Sequence, residues 1–241
     1  MNTAFLQAAP SNQKPENMST IPDGLEWGIE LILANEEGCR FYLDRYKPFR
    51  LAALKQDPDA FGSTHEREIN FTDADWLGRI KNPLAKTFVA VRPHDKRVLS
   101  ATSLIGPLPN VEPVSNPSQA SAEMRDGGDQ PYIHGEASPA PYQITGVYTM
   151  PEARGRGVAK ALVKAAIEQA INEANQQGKQ LALSVVVYST NHAAITFYES
   201  CGFVAGAEGP ILSFNQLKNS SAAELCMYYH SPDVDSSVSP E

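Results

Sequence analysis

The chain has 241 residues, 42% of them hydrophobic and 20% charged, and a formal net charge of −8 at pH 7. That length can bury a substantial core and is counted most simply as one domain with tails. The acidic balance argues against general nucleic-acid binding, no apolar run reaches the roughly 18–20 residues of a membrane span, and no basic run marks a membrane surface.

The opening stretch, residues 1–24, has neither a basic start nor an apolar centre and reads as a polar, disordered tail, not a signal peptide. Cys39, Cys201 and Cys226 are odd in number and lack metal-ligand spacing, so they read as reduced thiols of a cytoplasmic protein, the nucleus not excluded, with no metal. Residues 25–33 read as a first strand. Pro48 suits the first turn of a helix to about Gln56, stopped by Asp57-Pro58. A short helix follows, capped by Thr72 or Asp73, with Trp76, Leu77 and Ile80 on its apolar face. Residues 87–91 and 97–105 read as two strands joined by a turn.

Residues 106–142 hold seven of the 18 prolines and read as a long Pro-rich insertion, either a surface loop or a substrate-facing flap. A strand is expected over 142–150, then a helix from about Gly155 to Gln176, closed by Gly178. The apolar run 181–188 suits a strand covered on both faces. A helix within residues 191–203 (NHAAITFYESCGF), ended by Gly202, and two closing strands lead to a second disordered tail, 231–241. This order predicts an α/β (α+β) domain over 25–230 with a mixed, mostly antiparallel sheet of about seven strands, flanked by helices on both sides.

The stretch Thr149–Leu162 (TMPEARGRGVAKAL) places Arg154 and Arg156 around Gly155 and Gly157 at a helix start. Unpaired amides and the helix dipole make such a start a seat for an anion, and the bare glycines let it approach. Neither a G-K-[ST] nor a third glycine for G-x-G-x-x-G is present; Lys160 stands there. A phosphate ligand of another kind therefore stays open at this point. Asn191 and Tyr198, seven residues apart, fall on one helical face about 10 Å apart.

These two segments together resemble the GNAT superfamily of acetyl-CoA-dependent N-acetyltransferases. Arg154, Gly157 and Ala159 match its R/Q-x-x-G-x-G/A loop, and residues 191–203 look like its Asn…Tyr…Gly-Phe segment. Residues 50–54 and 57–63 are similar to the first-helix region of a subgroup of small GNAT enzymes, and 224–230 to the closing strand. The resemblance implies a GNAT-like fold and acetyl-CoA as cosubstrate. The backbone of Val147, Tyr148 and Thr149 would pair with the pantetheine arm. The amides of Gly155, Arg156, Gly157, Val158, Ala159 and Lys160 would cradle the diphosphate, with Arg154 and Arg156 offsetting its charge. Asn191 would touch the arm near the thioester, and Tyr198 would stand by the sulfur as general acid.

The implied reaction is direct attack of a primary amine, of a small molecule or a protein, on the thioester. The partners are then acetyl-CoA and that acceptor, with no nucleic acid and no membrane. Many relatives place a glutamate base on the fourth or fifth strand; here 143–150 and 181–188 contain no acid. Glu30, Glu66, Glu68, Tyr148 or a water chain remain as proton acceptors, and a catalytically silent acyl-CoA-binding module is the alternative reading. Cys201 reads as a buried core thiol, and His192 as exposed.

Overall fold

A computed structural model of the chain describes residues 18–20, 26–109 and 139–231. Among the described residues nine strands form one sheet: β1 (Met18–Thr20), β2 (Glu26–Ile32), β3 (Ala85–Val91), β4 (Val98–Ile105), β5 (Ala140–Thr149), β6 (Leu181–Tyr188), β7 (Phe203–Ala205), β8 (Ile211–Asn215) and β9 (Ser220–Tyr229). The order is β1-β2-β3-β4-β5-β6-β9-β7, with β8 also on β9. Seven of these are the expected strands. β1 adds a pairing within the stretch read as a tail, whose other residues lie outside those described, as do 232–241 and 110–138 of the insertion. β8 falls in the 207–223 connection, where residues 211–215 alternate too weakly to stand out by periodicity.

Every pairing is antiparallel except β5 with β6. A parallel pair needs a crossover, supplied here by a 19-residue helix, Val158–Gln176. The helices are α1 (Glu36–Phe41), α2 (Lys47–Gln56), α3 (His65–Glu68), α4 (Asp73–Ile80), α5 (Val158–Gln176) and α6 (His192–Glu199). A π-helical turn, Tyr42–Tyr46, joins α1 to α2. The predicted Thr72 cap of α4 is a full capping box with Asp75.

The period-2 alternation of β3 explains how one sheet serves two cores. Phe88 and Ala90 face the α5 side, with Leu162, Val163, Ala166 and Ala170. Val89 and Val91 face the other layer, with Tyr42, Phe49, Leu54 and Trp76. β6 departs from the sequence reading. Leu183, Val185 and Val187 are buried, but the alternate residues are only partly covered or exposed. Val186 and Tyr188 on that face line a cleft instead of a packed layer.

Candidate functional site

β5 and β6 are in register only from Ala140–Leu181 to Ile144–Val185. Beyond that they part, and the β6-facing edge of β5 over Thr145–Thr149 has no strand partner among the described residues. The divergence begins at a bulge. Between Thr145 and Tyr148, β5 spends one more residue than β4 spends between Ser103 and Ala101, and Gly146 takes φ +63° to allow it. A lone glycine inside a strand pattern is the sequence signal for such a kink.

The opening leads to two connected clefts. One, of about 760 Å³, runs from Asp57 and Arg154 past Ala159 to Phe197. The other, of about 600 Å³, lies between the β5 bulge, Tyr188 of β6 and the α2–α4 layer. Val147, Asn191, Ala194 and Tyr198 line both and so mark the junction.

At the outer end, α5 begins three residues later than Gly155. Gly157 is its N-cap, with φ +75° and no side-chain cap, and Gly155 has φ +73°. The earliest intrahelical bond runs from the Ala161 N–H to the Gly157 carbonyl at 3.0 Å, so the amides of Val158, Ala159 and Lys160 precede the ladder. A Cβ at Gly155 or Gly157 would meet nothing within 4 Å, so no side chain closes the turn. The Val158 side chain is buried in the core, which leaves its backbone as its contribution here.

Arg154 is already engaged. Its Nη2 donates to Asp57 Oδ2 at 2.6 Å, its Nε donates to the Thr149 carbonyl at 2.9 Å, and its guanidinium lies over the Tyr148 ring. Tyr148 Oη donates to the same Asp57 oxygen at 2.6 Å. These two donors hold the Asp57 carboxyl below the usual carboxylate range. Burial, with the Asp57 hydrogen bond and charge, pushes the Tyr148 phenol up to about 12. Tyr148 therefore contributes backbone to the cleft and its side chain to the α2 layer, and it is no candidate base. The Thr149 carbonyl is taken by Arg154. Sequence reasoning gave Asp57 only the role of a helix stop; the structure makes it the acceptor that ties α2 to this turn.

At the junction, Asn191 caps α6, accepting the Ala194 N–H at 3.1 Å, which leaves its amide NH₂ for the cleft. Tyr198 follows two turns on, 7% exposed, packed edge-on against Phe197 and Phe203. Its hydroxyl has no hydrogen-bond partner among the described residues. Burial pushes the phenol well above the usual tyrosine range, and the Cys201 thiol adds to the effect. The cysteines are free; Cys201 is half-buried, not fully buried as expected, and burial raises its thiol. His192 is exposed.

The three glutamates divide clearly. Glu30 is paired at the surface with Lys96, and Glu66 lies on α3 away from both clefts. Glu68 lines the second cleft but is fully buried between two guanidiniums. Arg50 donates to both its oxygens (3.0 and 3.2 Å), and Arg79 donates to Oε2 at 3.0 Å. Burial alone would raise this carboxyl; the arginines outweigh it and hold it at about 2. It is a poor proton acceptor. Glu224 of β9, opposite Tyr188, also lines this cleft, and sequence reasoning did not single it out.

Among the described residues no group of histidines, cysteines and carboxylates has metal-binding geometry, and no helix is long and apolar enough to cross a membrane. Residues 121–203 match the model of the acetyltransferase (GNAT) family. No curated protein matches the chain. Among solved structures it resembles Arabidopsis thaliana NAA60 in complex with acetyl-CoA, at 16% identity and a TM-score of 0.53 over 84% of this chain and 97% of that one. It also resembles the ribosomal-protein-S5-alanine acetyltransferase of Vibrio fischeri, at 14% identity and 0.55 over 86% and 94%. A third is yncA, a putative acetyltransferase of Salmonella typhimurium with acetyl-CoA, at 15% and 0.50 over 89% and 98%. The matched segment runs through the glycine turn, α5 and α6, and the fold as a whole is the one these solved acetyltransferase structures share.

Proposed function

We propose that the protein transfers the acetyl group of acetyl-CoA to a primary amine by direct attack, with Tyr198 as general acid. The observation that carries this reading is Tyr198, a largely buried side chain whose hydroxyl has no hydrogen-bond partner among the described residues, at the junction of the two clefts and downstream of an open glycine turn. A thioester arm entering along the unpaired edge of β5 brings its sulfur to that junction. The diphosphate then meets the Val158–Lys160 amides, which carry the partial positive charge of a 19-residue helix. Arg156 and Lys160 add charge there, while Arg154, balanced by Asp57, shapes the turn.

The acceptor arrives from the second cleft. Its ammonium must lose a proton before attack; water in the cleft takes it, with Glu224 the wall carboxylate outside the Arg50–Glu68–Arg79 cluster. The nitrogen then forms a bond to the acetyl carbon, the carbonyl oxygen takes negative charge, and the carbon–sulfur bond breaks as the tetrahedral species collapses. The β5 bulge leaves backbone at Gly146–Val147 out of the ladder and facing the parting strands, where a donor can polarise the carbonyl. Tyr198, fully protonated at neutral pH, gives its proton to the departing thiolate and regains one from solvent or the acceptor nitrogen.

The test is release of free CoA thiol from acetyl-CoA in the presence of an amine panel. Wild type turns over at least one amine. Tyr198→Phe keeps the ring and the fold, binds acetyl-CoA as before, and loses roughly 10²–10⁴ in kcat. Binding of acetyl-CoA with no turnover of any amine would establish the silent module instead.

A further inference from the structure

The second cleft carries more positive charge on one wall than the fold requires. Arg50 and Arg79 share a single carboxylate, Glu68, which uses three of their N–H groups. Each guanidinium has five such donors, and neither makes another hydrogen bond among the described residues. Arg50 sits over the Phe61 ring, and Arg79 sits over Phe71 and Trp76. Both are therefore held rigidly, with their side chains only 13% and 34% exposed. Two cations and one anion leave one unneutralised charge in a partly desolvated wall, a costly arrangement without a further partner. The glycine turn does not line this cleft, so the excess charge does not serve the cofactor diphosphate. Glu224 of β9 also lines this cleft, so its lining carries both signs of charge.

We propose that Arg50 and Arg79 form a carboxylate subsite, so that the acceptor is an amine bearing its own carboxylate, held at one end by these guanidiniums and presenting its nitrogen at the Val147–Tyr198 junction. A planar guanidinium fork is matched to a carboxylate, and its bonds to one are charge-assisted. The zwitterion also matches the two-signed cleft better than a polyamine, which would face Arg50 and Arg79 with like charge. This inference rests on the acetyl-transfer reading for its chemistry but not for its binding geometry.

The experiment compares matched pairs, amino acids and their carboxamides, in the thiol-release assay with the wild-type protein. The carboxamide amine is less basic and more of it is neutral, so intrinsic reactivity favours the wrong member and cannot produce the expected preference. Wild type should favour the carboxylate member in kcat/KM by roughly ten- to hundredfold. In Arg79→Gln the ratio should fall toward one, and Arg79→Lys should restore part of it. The ratio is independent of the folded fraction, so a purely structural role for Arg79 would leave it unchanged. Equal use of both members, or a preference for the carboxamide, overturns the subsite. If no amine is turned over, the acetyl-transfer reading fails by itself, and titration calorimetry of the same pairs into the CoA-loaded protein decides the subsite. Carboxylate-selective binding upholds it, and unselective or absent binding overturns it.

Discussion

Asp57 shows how one side chain can set the character of two others. Its Oδ2 receives both the Tyr148 hydroxyl and the Arg154 guanidinium, so a basic residue of the glycine turn is spent on shape before any ligand arrives. Replacing it by alanine leaves the Tyr148 phenol buried but without an acceptor. Its pKa should fall from about 12 toward, but not to, the ordinary 10, because burial is the larger cause and remains. An ultraviolet titration of Asp57→Ala against wild type reads this directly. Asp57 and Arg154 are both more than a third exposed, so solvent screens the ion pair and the stability loss should be modest, about 1 kcal/mol in urea denaturation. Gly157→Ala probes the neighbouring backbone. Space is open around the site, so the cost is the left-handed φ of +75° alone, about 1–2 kcal/mol.

At the scale of elements, Glu68 binds α2, α3 and α4 into one layer. It sits at the end of α3, accepts from Arg50 of α2 and Arg79 of α4, and is wholly buried. Its carboxyl is held at about 2 against an ordinary 4.5, so the folded state favours the charged form. A depressed carboxylate pKa contributes stability that is fully present above about 4.5 and is lost as pH falls from there through 2. At the 1.36 kcal/mol of each pH unit that contribution is about 3 kcal/mol. Glu68→Gln should accordingly be less stable than wild type at pH 6, and the gap between their urea midpoints should close by about pH 2. A gap that stays constant with pH would show that the cost is one of packing and not of charge. This cluster was hidden in the sequence because its members lie 18 and 11 residues from Glu68 on separate helices, and no local pattern announces that meeting. The glycine turn and the Asn191–Tyr198 helix were legible for the opposite reason. Each is one short segment whose spacing already carries its geometry. α1 escaped although Asn35 caps it with Glu36 and Glu37 in its first turn, because the π turn shifts the helical phase before α2 resumes it. Gly146 was readable as a bulge signal, but the consequence, strands that part beside Tyr198, depends on β6 arriving from across the molecule.

For the molecule as a whole, that parting has a mechanical meaning. The β1–β5 half and the β6–β9 half of the sheet are joined by only five register pairs, Ala140–Leu181 to Ile144–Val185, with α5 packed across one face. On the other face, where the clefts lie, the α1–α4 layer covers β2–β4 and leaves Val186 and Tyr188 of β6 facing open space. A ligand lying along β5 and reaching α6 touches both halves and exists only in the folded state. Its binding free energy is therefore added to the stability of the whole sheet, not to one loop. At a hundred times the dissociation constant this amounts to about 2.7 kcal/mol, and for a chain of this size each kcal/mol moves Tm by about 2–4 °C. Acetyl-CoA should raise Tm by about 5–10 °C in wild type and equally in Tyr198→Phe, because the proposed role of that hydroxyl is on the leaving sulfur and not in binding. In Gly157→Glu the shift should vanish, because a side chain with negative charge then stands before the amides proposed to hold the diphosphate. A shift lost in Tyr198→Phe but kept in Gly157→Glu would mean that the ligand seats at the junction without the glycine turn. No shift in any of the three would return the turn to an anion other than coenzyme A.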